Sequence, residues 1–466
     1  MSIFAYVLIG IILYIIFTNK SLKEIYINIM AIFIFTYMHI EVGYFIKLGN
    51  TSVRFVWFLE IILIMFSIIL LIKNKSVHKK ILMNGIAFFF TIVLGLLFLF
   101  IRPLKEMIIT GDVLWDDYWR RKAVMNYPQL SSNNIESLVQ VGVFIIILIC
   151  VISLFKEKDY ITLLYKTGDW CKIIVLYGIV EFVLKNVIKI NTVNMIDGIF
   201  GKSSTGLLQM ELRGGFYKLS GLSSESAHFA YALYVTALVF IGLNIIKGTY
   251  KIWVLFTLGL IALTMSFSSV LFIGFLIGMY ILYRLLDENN KKRKILYIIE
   301  LIGIVVLAVI LSSTLDDTYS SSYYGSRIVD IQENLKYIFS NIDVRLIPYA
   351  SSRVRMVSSI RTLKLLLKRP LLGIGINATN SHGSFSTILA SIGIVGVYTW
   401  IKFLFYSKKI FAELNNKLYF VFIVMWCVMN IFVSHGLATL YSSENIVIMI
   451  AFQIICNKKN NLKIYG

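Results

Sequence analysis

Charge is scarce in this chain of 466 residues: 15% are charged while 58% are hydrophobic, with a mean hydropathy of +0.80. Soluble domains carry about 25% charged and about 45–50% apolar residues. The departure in both directions excludes a water-soluble multidomain enzyme and a disordered chain. Strict apolar–polar alternation is also missing. The apolar runs are continuous, which argues against a membrane β-barrel. The expected class is an all-α polytopic membrane protein, a single integral membrane domain over 1–466.

Acids are scarcer than bases, 25 against 45, for a net charge of +20. In a soluble protein that excess suggests nucleic acid. In a membrane protein it first means lysines and arginines held against anionic lipid, so membrane lipids are the expected partner and nucleic acid is not. The four cysteines, Cys150, Cys171, Cys427 and Cys456, fall in or beside apolar spans, which argues against an external disulfide framework or a CxxC metal site. The chain starts apolar at Ile3 with no basic run before it, as a retained helix does and a signal peptide does not.

Windows of about 17–25 apolar residues suggest thirteen spans. They lie near 3–17, 25–46, 53–72, 81–101, 137–155, 173–188, 226–246, 252–268, 270–286, 295–312, 384–406, 418–434 and 444–456. Basic residues cluster at Lys73, Lys75, Lys79 and Lys80, at Lys291, Lys292, Arg293 and Lys294, at Lys408 and Lys409, and at Lys458 and Lys459. The thirteen-span topology puts all four clusters on one side. The positive-inside rule makes that side the cytoplasm, with the C-terminus inside. Three larger loops then face outward, near 102–136, 189–225 and 313–383. They hold all four prolines (Pro103, Pro128, Pro348 and Pro370), so no expected helix is interrupted by one.

The last loop changes character midway. Its first half mixes Asp316, Asp317, Asp330, Glu333 and Asp343 with Arg327 and Lys336. Then Arg345, Arg353, Arg355, Arg361, Lys364, Lys368 and Arg369 follow without an acid. Val357, Ile360, Leu363 and Leu367 recur at three-to-four spacing, as in an amphipathic helix at the membrane surface. Its cations either rest on lipid phosphates or bind an anionic head group. The arginine richness favours the second, because a guanidinium meets phosphate oxygens bidentately.

Histidines number only five. His39, His78 and His435 read as ordinary polar residues at helix ends or in a loop. His382 stands out because it follows the glycine turn Leu371-Leu372-Gly373-Ile374-Gly375 and opens a span containing Gly393 and Gly396. Small residues at that spacing let a neighbouring helix come close. An imidazole there can act as a base toward a hydroxyl. A second polar cluster, Lys218-Leu219-Ser220-Gly221-Leu222-Ser223-Ser224-Glu225-Ser226-Ala227-His228, opens the seventh span. Glu225 reads either as an acid favoured by a helix N-terminus or as a functional partner of His382 or an arginine. A Glu225–His228 metal site lacks third and fourth ligands.

These segments resemble the O-antigen polymerase/O-antigen ligase superfamily of bacterial envelope glycosyltransferases. His382, Gly393 and Gly396 match its histidine, polar residue, nine residues, glycine, two residues, small residue pattern. Gly383 departs from it, standing where Asn, Ser or Gln is usual. The stretch from Arg355 to Gly375 resembles the family's arginine, short helix and PLLGxG turn. Residues 220–226 resemble its SGLFxEP box, with Ser226 in place of proline. Lys218 stands at the position of the arginine that usually precedes the box, and Arg213 lies close by. The resemblance covers roughly 213–228 and 353–396.

The resemblance implies a donor glycan on undecaprenyl pyrophosphate, presented at the outer leaflet. Arg213, Lys218, Arg353, Arg355 and Arg361 would bind the pyrophosphate and stabilise it as it leaves. His382, with Glu225 second, would serve the acceptor hydroxyl. No P-loop or Rossmann fingerprint occurs, and Asp116–Asp117 and Asp316–Asp317 read as loop turns, so neither cofactor nor metal is expected. Pathway partners would be a chain-length regulator and a flippase. The expected activity is polymerisation of lipid-linked repeat units. The alternatives are a ligase moving a finished glycan and a transporter without covalent chemistry. Against the latter, mid-span ionisable residues are few, Glu60 and Glu181 being the clearest, and polar residues gather at the outer rim.

Overall fold

The computed structural model describes residues 1–40, 43–49, 51–75, 77–104, 130–201, 212–213, 216–223, 225–264, 266–287, 359–360, 362–378, 383–406, 408–411, 413–431 and 439–457. The expected span 295–312, the basic residues at 291–294, 458 and 459, and most of the loop 313–383 lie outside these residues.

Helices α1 (Ile3–Thr18) and α2 (Leu22–His39) are followed by a small antiparallel hairpin, β1 (Ile46–Leu48) and β2 (Thr51–Val53), in which Ile46 pairs with Val53. Next come α3 (Phe55–Asn74), α4 (Lys79–Ile101), α5 (Ser132–Leu154) and α6 (Glu157–Phe182), the last continued by a π-helical turn over Val183–Ile188. After α7 (Val193–Phe200), the short strands β3 (Leu212–Arg213) and β4 (Phe216–Tyr217) lead to α8 (Ser226–Lys247), α9 (Lys251–Leu263) and α10 (Phe267–Asp287). The described C-terminal part holds α11 (Ser384–Leu404), α12 (Asn416–Met429) and α13 (Glu444–Ile455). The chain is an all-α polytopic membrane protein. Among the described residues, α3, α4, α5, α8 and α11 are long and apolar enough to cross a bilayer.

Burial sorts these helices into layers. Nearly every side chain of α2, α8 and α13 is buried, so these three form the centre. On α3, Ile61, Met65, Ile68 and Ile72 are exposed at helical spacing and form one apolar stripe. That stripe suits lipid, where apolar side chains need no cover. α2 packs on α3 and α6, α8 on α6, α9, α10 and α13, and α11 on α4.

Three expected limits differ from the observed elements. The sixth span does not start near 173, because α6 starts at Glu157. Its first half carries Lys, Asp and Glu on one face, which lowers its mean hydropathy. Tyr160, Leu163, Leu164, Thr167 and Cys171 are nevertheless buried on the other. The stretch 189–225 likewise contains α7 and the β3–β4 hairpin, and α5 starts at Ser132, inside the expected loop 102–136.

One end of the bundle is rich in lysine. The His78 backbone N–H donates to Ser153 Oγ at 3.0 Å, and Lys408 Nζ donates to the carbonyls of Ile152 (3.1 Å) and Phe155 (2.9 Å). The clusters at 73–80 and 408–409 therefore share that end. Lys23 joins them, pairing with Asp159 and donating to the Leu154 carbonyl. The features that follow gather toward the other end.

Candidate functional site

Helix α11 is broken at Gly393, whose φ of 67° and ψ of −177° are not helical. In an unbroken helix the N–H groups of Ile394 and Val395 would donate to the carbonyls of Ala390 and Ser391. Here the loop from Pro370 to Gly375 fills the gap. Ile374 N–H donates to the Ala390 carbonyl (2.9 Å) and Gly375 N–H to the Ser391 carbonyl (3.0 Å). In return, the carbonyls of Pro370 and Leu371 accept from Ile394 (2.9 Å) and Val395 (3.1 Å). All four backbone groups freed by the break are thus satisfied, where each would cost about 1–3 kcal/mol if buried alone.

This corrects the expected role of Gly393. It does not receive a neighbouring helix. A Cβ at Gly393 would strike the Leu371 carbonyl and come within 2.5 Å of Gly373 N, so the close neighbour is the chain's own preceding loop. The same loop lies against α4, because a Cβ on Gly95 would come within 2.9 Å of the Leu372 carbonyl.

Beyond the splice the chain is pinned to the start of α5. Asn134 donates from Nδ2 to the Ile376 carbonyl, and its Oδ1 accepts from the Ser131 backbone N–H. Asn377, held at a φ of 57°, donates to the Asn133 carbonyl (3.2 Å) and to Ser137 Oγ (3.0 Å). Gly383 then begins α11 in a crowded spot. A Cβ there would strike the Ile431 carbonyl and come within 2.5 Å of Ser359 Oγ. Any side chain at this position would have to displace the Ile431 carbonyl.

A second turn is built around a buried ion pair. Lys185 Nζ lies 2.5 Å from Glu181 Oε1, with the two side chains 1% and 0% exposed. The π-helical turn after α6 shifts the register of this segment. Glu181 accepts the backbone N–H groups of Ser220 (3.2 Å) and Gly221 (2.9 Å), and Lys185 donates to Ser220 Oγ (3.3 Å). Asn186 completes the clamp, accepting from Tyr217 N–H (2.6 Å) and donating to the Tyr217 carbonyl (3.1 Å). Glu181 therefore organises the segment 217–221. Lys218 is buried beside this turn, and Glu225 is the N-cap residue of α8, with no side-chain capping bond. The backbone of Arg213 pairs with Phe216 across the β3–β4 hairpin.

A third cluster was missed by sequence reasoning. Tyr37 of α2 has Tyr441, Glu444, Glu60 and Arg54 as electrostatic neighbours. Burial, then the Glu136 and Glu60 carboxylates, push the Tyr441 phenol up to about 12. Ser442 and Tyr231 are near neighbours of the Glu444 carboxyl. Thr439 Oγ1, Ser443 Oγ and Asn445 Oδ1 are buried around the start of α13 and have no hydrogen-bond partner among the described residues. Glu60 was visible in the sequence as a mid-span acid. The short polar run Ser442-Ser443-Glu444-Asn445 ahead of an apolar stretch was the available signal for the rest.

The remaining expected site residues, His382, Arg353, Arg355 and Arg361, lie outside the described residues. Their chain neighbours Gly383 and Ser359 are in contact. No family model, curated protein or solved structure matches the chain.

Proposed function

We propose that this protein is a glycosyltransferase of the bacterial cytoplasmic membrane, with its C-terminus in the cytoplasm. It joins oligosaccharide repeat units carried on undecaprenyl pyrophosphate at the outer face. One observation carries the reading: the parts of the segment 353–396 that resemble the polymerase superfamily are bonded and packed to one another. The PLLGIG loop is spliced into the break at Gly393, and Gly383, next to His382, packs on Ser359, two residues from Arg361. A shared substrate requires the histidine and the arginines to be held near one another, and the contact between Gly383 and Ser359 supports that reading.

In this mechanism Arg353, Arg355 and Arg361, with Arg213 and Lys218, hold the pyrophosphate and stabilise its charge as the sugar–phosphate bond breaks. His382 takes the proton of the acceptor hydroxyl as the new glycosidic bond forms. Glu225 is the second candidate for that role. The carboxylates and phenols around Glu60, Tyr441 and Glu444 offer hydrogen-bond acceptors and donors suited to sugar hydroxyls. The transporter alternative loses support from Glu181, whose carboxylate is spent on the Ser220–Gly221 turn.

The test is chain extension in cells carrying His382→Ala or Arg355→Ala, with insertion checked by membrane fractionation. Both variants should insert, and should leave single repeats where wild type makes long chains. Wild-type polymer length in either variant removes that residue from the mechanism. Long chains stranded on the lipid carrier would indicate the ligase alternative.

A further inference from the structure

We propose that Arg102 and Arg369 form a binding site for the phosphate of a membrane lipid, at the bundle edge opposite the lysines. The inference stands apart from the glycan-transfer reading. Arg102 is the residue that ends α4, and Arg369 immediately precedes the spliced loop. Arg369 Nη2 donates to the Arg102 carbonyl, so two cationic residues from distant parts of the sequence are held together. Among the described residues, Arg369 Nη1 is buried without a hydrogen-bond acceptor. Partial burial, and then the like charge of Arg102, lower the pKa of the Arg369 guanidinium. Among the described residues no carboxylate forms an ion pair with either arginine. An anion between them would relieve the repulsion and satisfy the orphaned donor, and phosphate oxygens match the guanidinium fork.

The surroundings say that the anion has an apolar part. Phe100 and Ile101 on α4 are 69% and 71% exposed, and Leu367 and Leu371 on either side of Arg369 are 78% and 63% exposed. Such side chains beside a pair of cations suit a molecule with hydrocarbon below and phosphate above. The site is also rigid. The Arg369 carbonyl accepts from Gly373 N–H at 3.0 Å, and Pro370 is itself bonded into the break of α11.

The experiment titrates purified full-length protein with dioctanoyl phosphatidic acid, dioctanoyl phosphatidylcholine and inorganic phosphate, followed by tryptophan fluorescence. Wild type should bind phosphatidic acid saturably and more tightly than the other two. Arg102→Gln and Arg369→Gln should each weaken that binding about tenfold, the loss expected for one charge-assisted contact. Arg102 holds its place through its backbone, N–H to the Phe98 carbonyl and carbonyl to Arg369, so Arg102→Gln separates binding from folding. Unchanged phosphatidic acid binding in Arg102→Gln overturns the proposal. Equal affinity for inorganic phosphate would assign the site to a free anion, and equal affinity for phosphatidylcholine would reduce it to an apolar surface. Either result also overturns it.

Discussion

Gly373 and Gly393 meet backbone to backbone. A Cβ on Gly393 would come within 2.5 Å of Gly373 N, and a Cβ on Gly373 would strike the Ser391 carbonyl. Both residues have positive φ, 69° and 67°. Each is therefore held to glycine twice, by conformation and by space.

Gly393→Ala should break the splice. The substitution adds strain at φ 67° and pushes away the loop whose bonds satisfy the break, for an expected loss of at least about 2–3 kcal/mol. Thermal unfolding in detergent measures it. Gly10→Ala is the control, because no atom lies within 4 Å of its added methyl. Equal melting of the two variants would show that the splice contributes nothing to stability.

The Glu181–Lys185 pair makes a different kind of prediction. Removing one partner leaves the other charge buried, at about 3–5 kcal/mol, whereas replacing both with apolar residues is often close to neutral. Glu181→Leu alone should therefore destabilise more than Glu181→Leu combined with Lys185→Met. The double variant still loses the two backbone bonds to Ser220 and Gly221, so it should fold yet carry a displaced 217–221 turn. A double-mutant cycle on melting temperature decides the first point. Protease sensitivity near Tyr217 decides the second.

Lys408 should stabilise the end of α5. Its Nζ caps two carbonyls there, where a cation also meets the negative end of the helix dipole. Burial and the nearby Lys23 lower its pKa, and Asp159 opposes them. Lowering means that the unfolded chain binds this proton more tightly than the fold does, so this lysine's contribution should grow as pH rises through its lowered pKa toward the ordinary lysine value. Lys408→Met should cost about 1 kcal/mol at neutral pH, an amount reduced by its partial exposure. The gap between variant and wild-type melting temperatures should therefore widen in alkaline buffer. A gap independent of pH would mean that charge is not what Lys408 contributes.

Much of the architecture was legible because hydropathy reports lipid contact directly. The apolar runs around 53–72, 81–101, 226–246 and 384–406 became helices whose limits differ from them by no more than two residues. What escaped has a common cause: its information is relational. The first half of α6 is buried by its neighbours rather than by its own mean hydropathy. Glu181 looked like an isolated mid-span acid until the π-helical turn and Lys185 set it against Ser220. Gly393 pointed rightly to close approach, but a sequence does not say that the approaching chain is Leu371–Gly373. Tyr37, Glu60, Tyr441 and Glu444 come from three helices and a connecting segment, and no local pattern announces such a meeting.

Gly383 offers the sharpest test of whether family pattern or local packing governs this chain. The resembling family usually has a polar residue there, so a pattern-based change would be Gly383→Asn. The geometry argues the other way. One obstacle, Ser359 Oγ, is a small side chain that rotates away easily, but the other is the backbone carbonyl of Ile431. That carbonyl belongs to the end of α12, where Asn430 O already accepts from Phe385 N–H at 2.8 Å. Moving it therefore disturbs the first turn of α11 as well. Gly383→Asn should lower the melting temperature and reduce chain extension, and adding Ser359→Gly should restore little of either. Recovery of both by Ser359→Gly would place the clash on the serine. A stable, fully active Gly383→Asn would mean that α12 yields and that the polar residue of the family pattern is accepted here.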